Sequence, residues 1–332
     1  MRRQAAAGRD RRGTDRRGVL AVLARGTLAI GVAGAGVTGV GVTGRGMTGA
    51  ARAETPSSVD TAPLQFALNL HYLTTNFLQV VAYGADGLLG GDLIRGGEIA
   101  DRPGVPAQGL LRVTFPAADR AFQARFNEMA DEHRARLLLL RGFLRGDAPA
   151  QTLIDYSPET FSTMFRAAGA IAPTARFNPY ASVSSALLAA ETLVTVAASA
   201  QAALLPLLRD PIALPALASL AAGAANNATV LRAMLLERAA TDPTVTATVD
   251  RLAAWRDRID GTAPSDRGLS TESSAAGGVT RLTRCDGDGL YLTRTPQQAL
   301  NVLFMTSAAA RQGGFFPTGI NGAIGASAAS QA

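Results

Sequence analysis

The chain of 332 residues is 47% hydrophobic, enough to bury a core as one large domain or two small ones. Its formal charge of +6 is uneven: the first 53 residues hold 10 arginines against 2 acids, which leaves 22 arginines against 24 acids, or −2, for the rest. A near-neutral body with 5% aromatics lacks the basic patch and stacking rings of a nucleic-acid binder, and two histidines with one cysteine exclude an ordinary zinc site and an intramolecular disulfide.

The first element in chain order reads as an address. The segment 1–53 has an arginine-rich start, a weakly apolar Gly/Ala/Val/Thr centre and Ala51-Arg52-Ala53 before Glu54, the pattern of a signal peptide with a small-residue cleavage site. The paired Arg16 and Arg17 before Gly18-Val19-Leu20 resemble a twin-arginine export signal, so the twin-arginine export machinery is the expected partner and a periplasmic or extracellular location follows. A retained transmembrane anchor is the weaker alternative, because Arg25 and Arg45 interrupt the apolar run. Gly34–Gly39 and Gly39–Gly44 both match a dinucleotide fingerprint, but no strand precedes and no helix follows, so a glycine-rich repeat explains them better.

After a linker at 54–62, the run TAPLQFALNLHYLTTNFLQVVAYG places Leu64, Leu68, His71, Thr75 and Leu78 on one helical stripe. Gly84–Gln108 is a long Gly/Pro-rich connection, and a second helix is expected from Pro116 to about Leu144. A short helix is expected at Ser157–Ala168, then two Ala/Leu-rich helices at Ala181–Arg209 and Ile212–Ala240, broken by Asp210-Pro211. Two long pairs separated by a long connection describe an all-α four-helix bundle with a crossover. A further helix starts at Pro296, with Thr295 as its cap, inside a helical domain spanning 63–312. The segment 313–332 reads as a closing lid, with Phe315 and Phe316 as packing anchors.

Several pieces carry a resemblance: LQFALNLHYL, FNEMADEHRARLLLLR, FNPY, RTPQQAL and GGFFPTGINGAI. Together they are similar to the exported ferritin-like proteins that include the plant desiccation-related proteins. The resemblance implies a ferritin-like bundle and, by analogy, a role in stress protection. Such bundles can hold a di-iron or di-manganese centre on a Glu from each of two helices and a Glu-x-x-His pair from each of the other two. On this family pattern His71 and Thr74 stand where the first helix would carry glutamates. Glu132 fits a ligand position, but Ala135 stands where its histidine belongs. Val194 takes a glutamate position with Glu191 one turn earlier, and Ala224 and Asn227 replace the last Glu and His.

The candidate metal set is therefore Glu132, Glu191, His71 and Asn227, read as the remnant of a degenerate site. Losing the carboxylates together is self-consistent, because unmetallated buried carboxylates would repel one another and suffer desolvation. Glu132 would then need a partner, for which His71 or Asn227 are the candidates. Adjacent residues point about 100° apart on a helix, so His133 beside Glu132 is expected to be incidental. The leading expectation is a non-catalytic exported helical protein with a protective or binding role, without a cofactor. The alternatives are an iron- or manganese-binding oxidase with altered ligands and an apolar-ligand carrier built on the small residues of the third and fourth long helices. Assembly with further copies of the chain is left open.

Overall fold

The computed structural model describes residues 58–97, 102–261, 265–274 and 277–330; the signal segment and its glycine repeats lie outside the described residues. Among the described residues seven α-helices follow one another: α1 Ser58–Tyr83, α2 Arg120–Leu144, α3 Pro158–Ala167, α4 Val183–Leu204, α5 Ala213–Ala239, α6 Thr244–Asp260 and α7 Pro296–Phe304. Two three-residue strands, β1 Glu272–Ser274 and β2 Gly277–Val279, pair antiparallel and are the only strands among the described residues.

The long helices α1, α2, α4 and α5 make the bundle. Side-chain bonds fix their directions, because along each of three pairs the residue number rises on one helix as it falls on the other. Gln65 bonds to Asp147 while Tyr83 bonds to Asn127. Asp60 holds Arg209 while His71 holds Gln201. Glu132 meets Asn227, and Arg136 lies against Gly223. So α1 runs antiparallel to α2 and α4, and α2 antiparallel to α5, which requires the chain between α2 and α4 to travel back along the bundle.

Burial explains why these segments are helices despite modest amphipathicity. Between Asp60 and Asp86 there is no charged residue, and α1 packs on all sides: Leu64, Phe66, Leu68, Leu70, Leu73, Phe77 and Leu78 are all buried. The alanines of α4, among them Ala186, Ala189, Ala190, Ala197 and Ala200, are fully buried in the common core. Small side chains there let helices approach closely, which accounts for the composition without a ligand cavity.

Local signals set the shorter elements. Ser157 caps α3 by accepting from the Thr160 amide, and Thr295 with Gln298 forms a reciprocal capping box on α7, with Pro296 in the first turn. Phe315 and Phe316 are both buried; Phe315 donates its amide to the Leu303 carbonyl at 3.0 Å and meets the Phe161 ring edge-on at 5.0 Å. Gly314 permits that turn, since its φ is 47° and a Cβ would stand 2.4 Å from the Leu303 oxygen.

Helix α6 was absent from the sequence expectation. Its inward face is Val245, Val249, Leu252, Trp255, Arg256 and Asp260, a regular helical spacing interrupted by charges that turn out to be buried, and Gly261 ends it at φ 70°.

Candidate functional site: the polar layer of the bundle and the arginine network

Midway along the bundle the core turns polar. His71 on α1 and His133 on α2 are both fully buried, with ring centroids 5.7 Å apart. His71 Nε2 donates to Oε1 of Gln201 on α4 at 3.2 Å. Thr74 Oγ1 spends its proton on the Leu70 carbonyl at 3.1 Å, so it accepts from His133 Nδ1 at 2.8 Å. These bonds fix both tautomers and leave His71 Nδ1 and His133 Nε2 as bare lone-pair nitrogens, neither with a protein partner. Thr75, Thr195, Gln201 Nε2 and Arg136 Nη1 also lack protein partners.

The electrostatics keep both imidazoles neutral. Burial, followed by the nearby Arg136 charge, pushes His71 down to about 3, against a weaker opposing bond from Gln201. His133 is held well below its usual range by burial, then by Arg136 and His71. Arg136 itself donates Nη2 to Glu132 at 2.8 Å, and its own pKa is lowered chiefly by burial. Gly223 makes room for that guanidinium, because a Cβ there would sit 2.8 Å from Arg136 Nη2.

The candidate metal residues do not form one site. On α2 the inward positions are Phe126, Met129, Ala130, His133 and Leu137, whereas Ala135 is exposed and the Glu132 side chain is 42% exposed. The register is thus displaced from the expected one, and His133, taken as incidental, is the residue that enters the core. Glu132 sits at the rim, where it accepts from Arg136 at 2.8 Å and from Asn227 Nδ2 at 3.0 Å. The other positions named from the family pattern, Thr74, Val194, Ala224 and Asn227, are buried.

Glu191 belongs to a different cluster. Fully buried on α4, it bonds to Arg284 and lies 3.4 Å from Arg256 and 3.8 Å from Arg232. Asp266 accepts from Arg256 at 2.5 Å, from Arg284 at 2.7 Å and from Arg294 at 2.9 Å, and Arg294 also donates to Asp260 at 2.7 Å. Burial alone would raise both acids; instead Arg284, Arg256 and Arg232 bring Glu191 down, and Arg256, Arg284 and Arg294 hold Asp266 well below the usual carboxylate range. Arg232 finishes its guanidinium on the carbonyls of Leu282, Arg267, Gly268 and Arg281, and burial lowers its pKa to about 10. None of these arginines was singled out from sequence. The available signal was an arginine on an apolar stripe, as where Arg232 lies four residues after Ala228 and three before Leu235, and Arg256 four after Leu252.

Residues 59–237 match the ferritin-like domain family, and the chain belongs to that family. No curated protein and no solved structure matches the chain. The matched segment covers α1 to most of α5, so the family is defined by the bundle, and α6, the strands, α7 and the tail lie beyond it.

The fold family implies a dinuclear metal centre, and the donor set does not fit one. Two divalent ions in a dry core need several carboxylates for neutrality. The carboxylates at hand are Glu132, paired at the rim with a cation, and Glu191, held by three arginines. No group of three or more His, Cys, Asp or Glu side chains able to hold an ion occurs among the described residues.

Proposed function

We propose that the protein is an exported, non-catalytic member of the ferritin-like family, acting in the periplasm or outside the cell through binding or stress protection rather than oxygen chemistry. The observation that carries this reading is the composition of the central layer. Where a dinuclear centre would need carboxylates, the bundle carries two neutral histidines, an arginine, threonines and glutamine. A like charge from Arg136 beside both imidazoles further disfavours two divalent ions. Export is supported by the twin-arginine-like leader, and the protective role by the resemblance to desiccation-related proteins.

Metal analysis of the purified protein tests the central claim: iron plus manganese well below one equivalent per chain is expected, and close to two equivalents would overturn it. Cell fractionation tests export separately, since a chain retained in the cytoplasm would remove that part alone. A second reading, a single metal ion held by the two histidines, is favoured by one observation. The bare nitrogens Nδ1 and Nε2 belong to rings 5.7 Å apart, compatible with an ion about 2 Å from each nitrogen. One equivalent of bound metal, lost in His71→Gln, would establish it over the first.

A further inference from the structure

The two histidines of the central layer are held the way metal-binding imidazoles are held. A ligating ring keeps one nitrogen bare and donates from the other, which fixes its tautomer and its orientation. Both rings meet this condition. His71 Nε2 donates to Gln201 at 3.2 Å and His133 Nδ1 to Thr74 at 2.8 Å, while His71 Nδ1 and His133 Nε2 have no protein partner. Packing does not account for two such nitrogens, because a buried polar atom without a partner is costly.

The span between the rings selects the class of ion. A ring nitrogen lies about 1 Å out from its centroid and about 2 Å from a bound ion, so two rings facing one ion along a straight line have centroids about 6 Å apart. The tetrahedral angle of zinc closes that span to about 5 Å, and a right angle between neighbouring ligands of a tetragonal site closes it to about 4 Å. The observed 5.7 Å is nearest the straight line. Among the described residues no group of three or more His, Cys, Asp or Glu side chains completes a larger ligand set. A wide angle with two ligands is the preference of a closed-shell monovalent ion, and imidazole nitrogen suits copper.

Charge points the same way. The layer offers two neutral nitrogens, and the Arg136 cation that acts on both imidazoles is paired with Glu132 at the rim. Repulsion from that guanidinium scales with the charge of the ion, so a monovalent ion meets half of what a divalent one would.

We propose that the histidine layer binds one Cu(I) ion in two-coordinate form through His71 Nδ1 and His133 Nε2, with Gln201 and Thr74 orienting the rings. The proposal rests on the two-histidine reading of this layer and requires no oxygen chemistry. The competing occupant is water, which would donate to the same nitrogens.

Anaerobic titration of the full chain against the chromogenic Cu(I) chelator bathocuproine disulfonate measures the binding, with Cys285→Ser removing the single thiol. One equivalent of Cu(I) should pass from the chelator to the protein. X-ray absorption at the copper edge should then show two nitrogen neighbours and the strong pre-edge transition of two-coordinate Cu(I). Thr74→Val leaves both bare nitrogens but frees the His133 ring, and should weaken binding about tenfold or more. His71→Gln should abolish it. No transfer of Cu(I) would overturn the proposal, assign the nitrogens to water and leave the metal-free, non-catalytic reading in place. Sulfur neighbours at the copper would also overturn it, and this measurement needs no histidine variant to fold. One equivalent of Zn(II) held in preference to Cu(I) and lost in His71→Gln would keep the two-histidine site and overturn the choice of ion. Two equivalents of iron or manganese would sink the non-catalytic reading and this proposal with it.

Discussion

Acidification through the histidine range should destabilise this protein steeply, because its only two histidines are both buried and neutral. In the unfolded chain each binds a proton near pH 6.5; in the fold His71 does so only near 3 and His133 also well below its usual range. A depressed folded pKa means that stability is fully present above pH 6.5 and falls as the unfolded state gains protons that the fold refuses. Each refused proton costs about 1.4 kcal/mol per pH unit, so His71 alone costs about 2.5 kcal/mol between pH 6.5 and 4.5, and His133 adds to the loss in the same direction. That is a large share of the stability of an ordinary domain, about 5 to 15 kcal/mol. The acidic network enters only at the bottom of this window, since arginines lower both Glu191 and Asp266 and their contribution starts to fall when the unfolded carboxylates take up protons, at about pH 5. Asp257, raised chiefly by burial, acts in the opposite sense near the acidic end and trims the fall there. Urea unfolding at pH 7.5, 6.5, 5.5 and 4.5 measures the slope, and His71→Gln and His133→Gln should each reduce it. A flat wild-type profile across this range, or a slope untouched by both substitutions, would refute the assignment of the histidines as neutral buried groups.

Glu191→Gln should lower stability by about 3 to 5 kcal/mol in thermal or urea unfolding, because it leaves Arg232, Arg256 and Arg284 buried around one acid fewer. The half-exposed Glu132→Gln should cost at most about 1 kcal/mol, and comparable losses in the two variants would contradict the separation of rim and core. Ending the chain after Arg238, just past the family-matched segment, removes Arg256, Asp266, Arg284 and Arg294 and strips Glu191 and Arg232, 3.8 Å apart in the full fold, of their other partners. That truncated chain should show no cooperative unfolding transition and rapid proteolysis, whereas a sharp transition would show the bundle to be self-sufficient.

The bundle was legible in the sequence because apolar periodicity and breaks report directly on helices. Asp210-Pro211 marks the turn between α4 and α5, and Thr295-Pro296 marks the start of α7. The register of α2 was not legible to within one residue. Glu132 and His133 are neighbours on the helix, and the family pattern favours the acidic one as the inward residue. The fold instead buries the imidazole, which can be neutral, and leaves the carboxylate at the rim, where water and Arg136 solvate its charge. Helix α6 and the arginine cluster failed for a common reason. A charged residue on an apolar stripe reads as an interruption, and only the three-dimensional meeting of Arg256, Arg284 and Arg294 with Asp266 makes it an interior position.

The fate of Glu191 connects the two halves of the molecule. An acid buried on α4 of a bundle needs compensating cations, which metal ions could supply in a family member that keeps its other ligands. Here arginines supply it, and two of the three that neutralise Glu191, Arg256 and Arg284, come from sequence beyond the matched bundle. Each guanidinium carries a fixed fork of donors, so it ties Glu191 to Asp266 and Arg294 ties Asp266 to α6 through Asp260. The charge that could have gathered ions into the bundle instead fastens the C-terminal third onto it. The histidine layer is then free of any carboxylate demand, and its chemistry is that of neutral hydrogen-bonding groups held at fixed tautomers by Gln201 and Thr74.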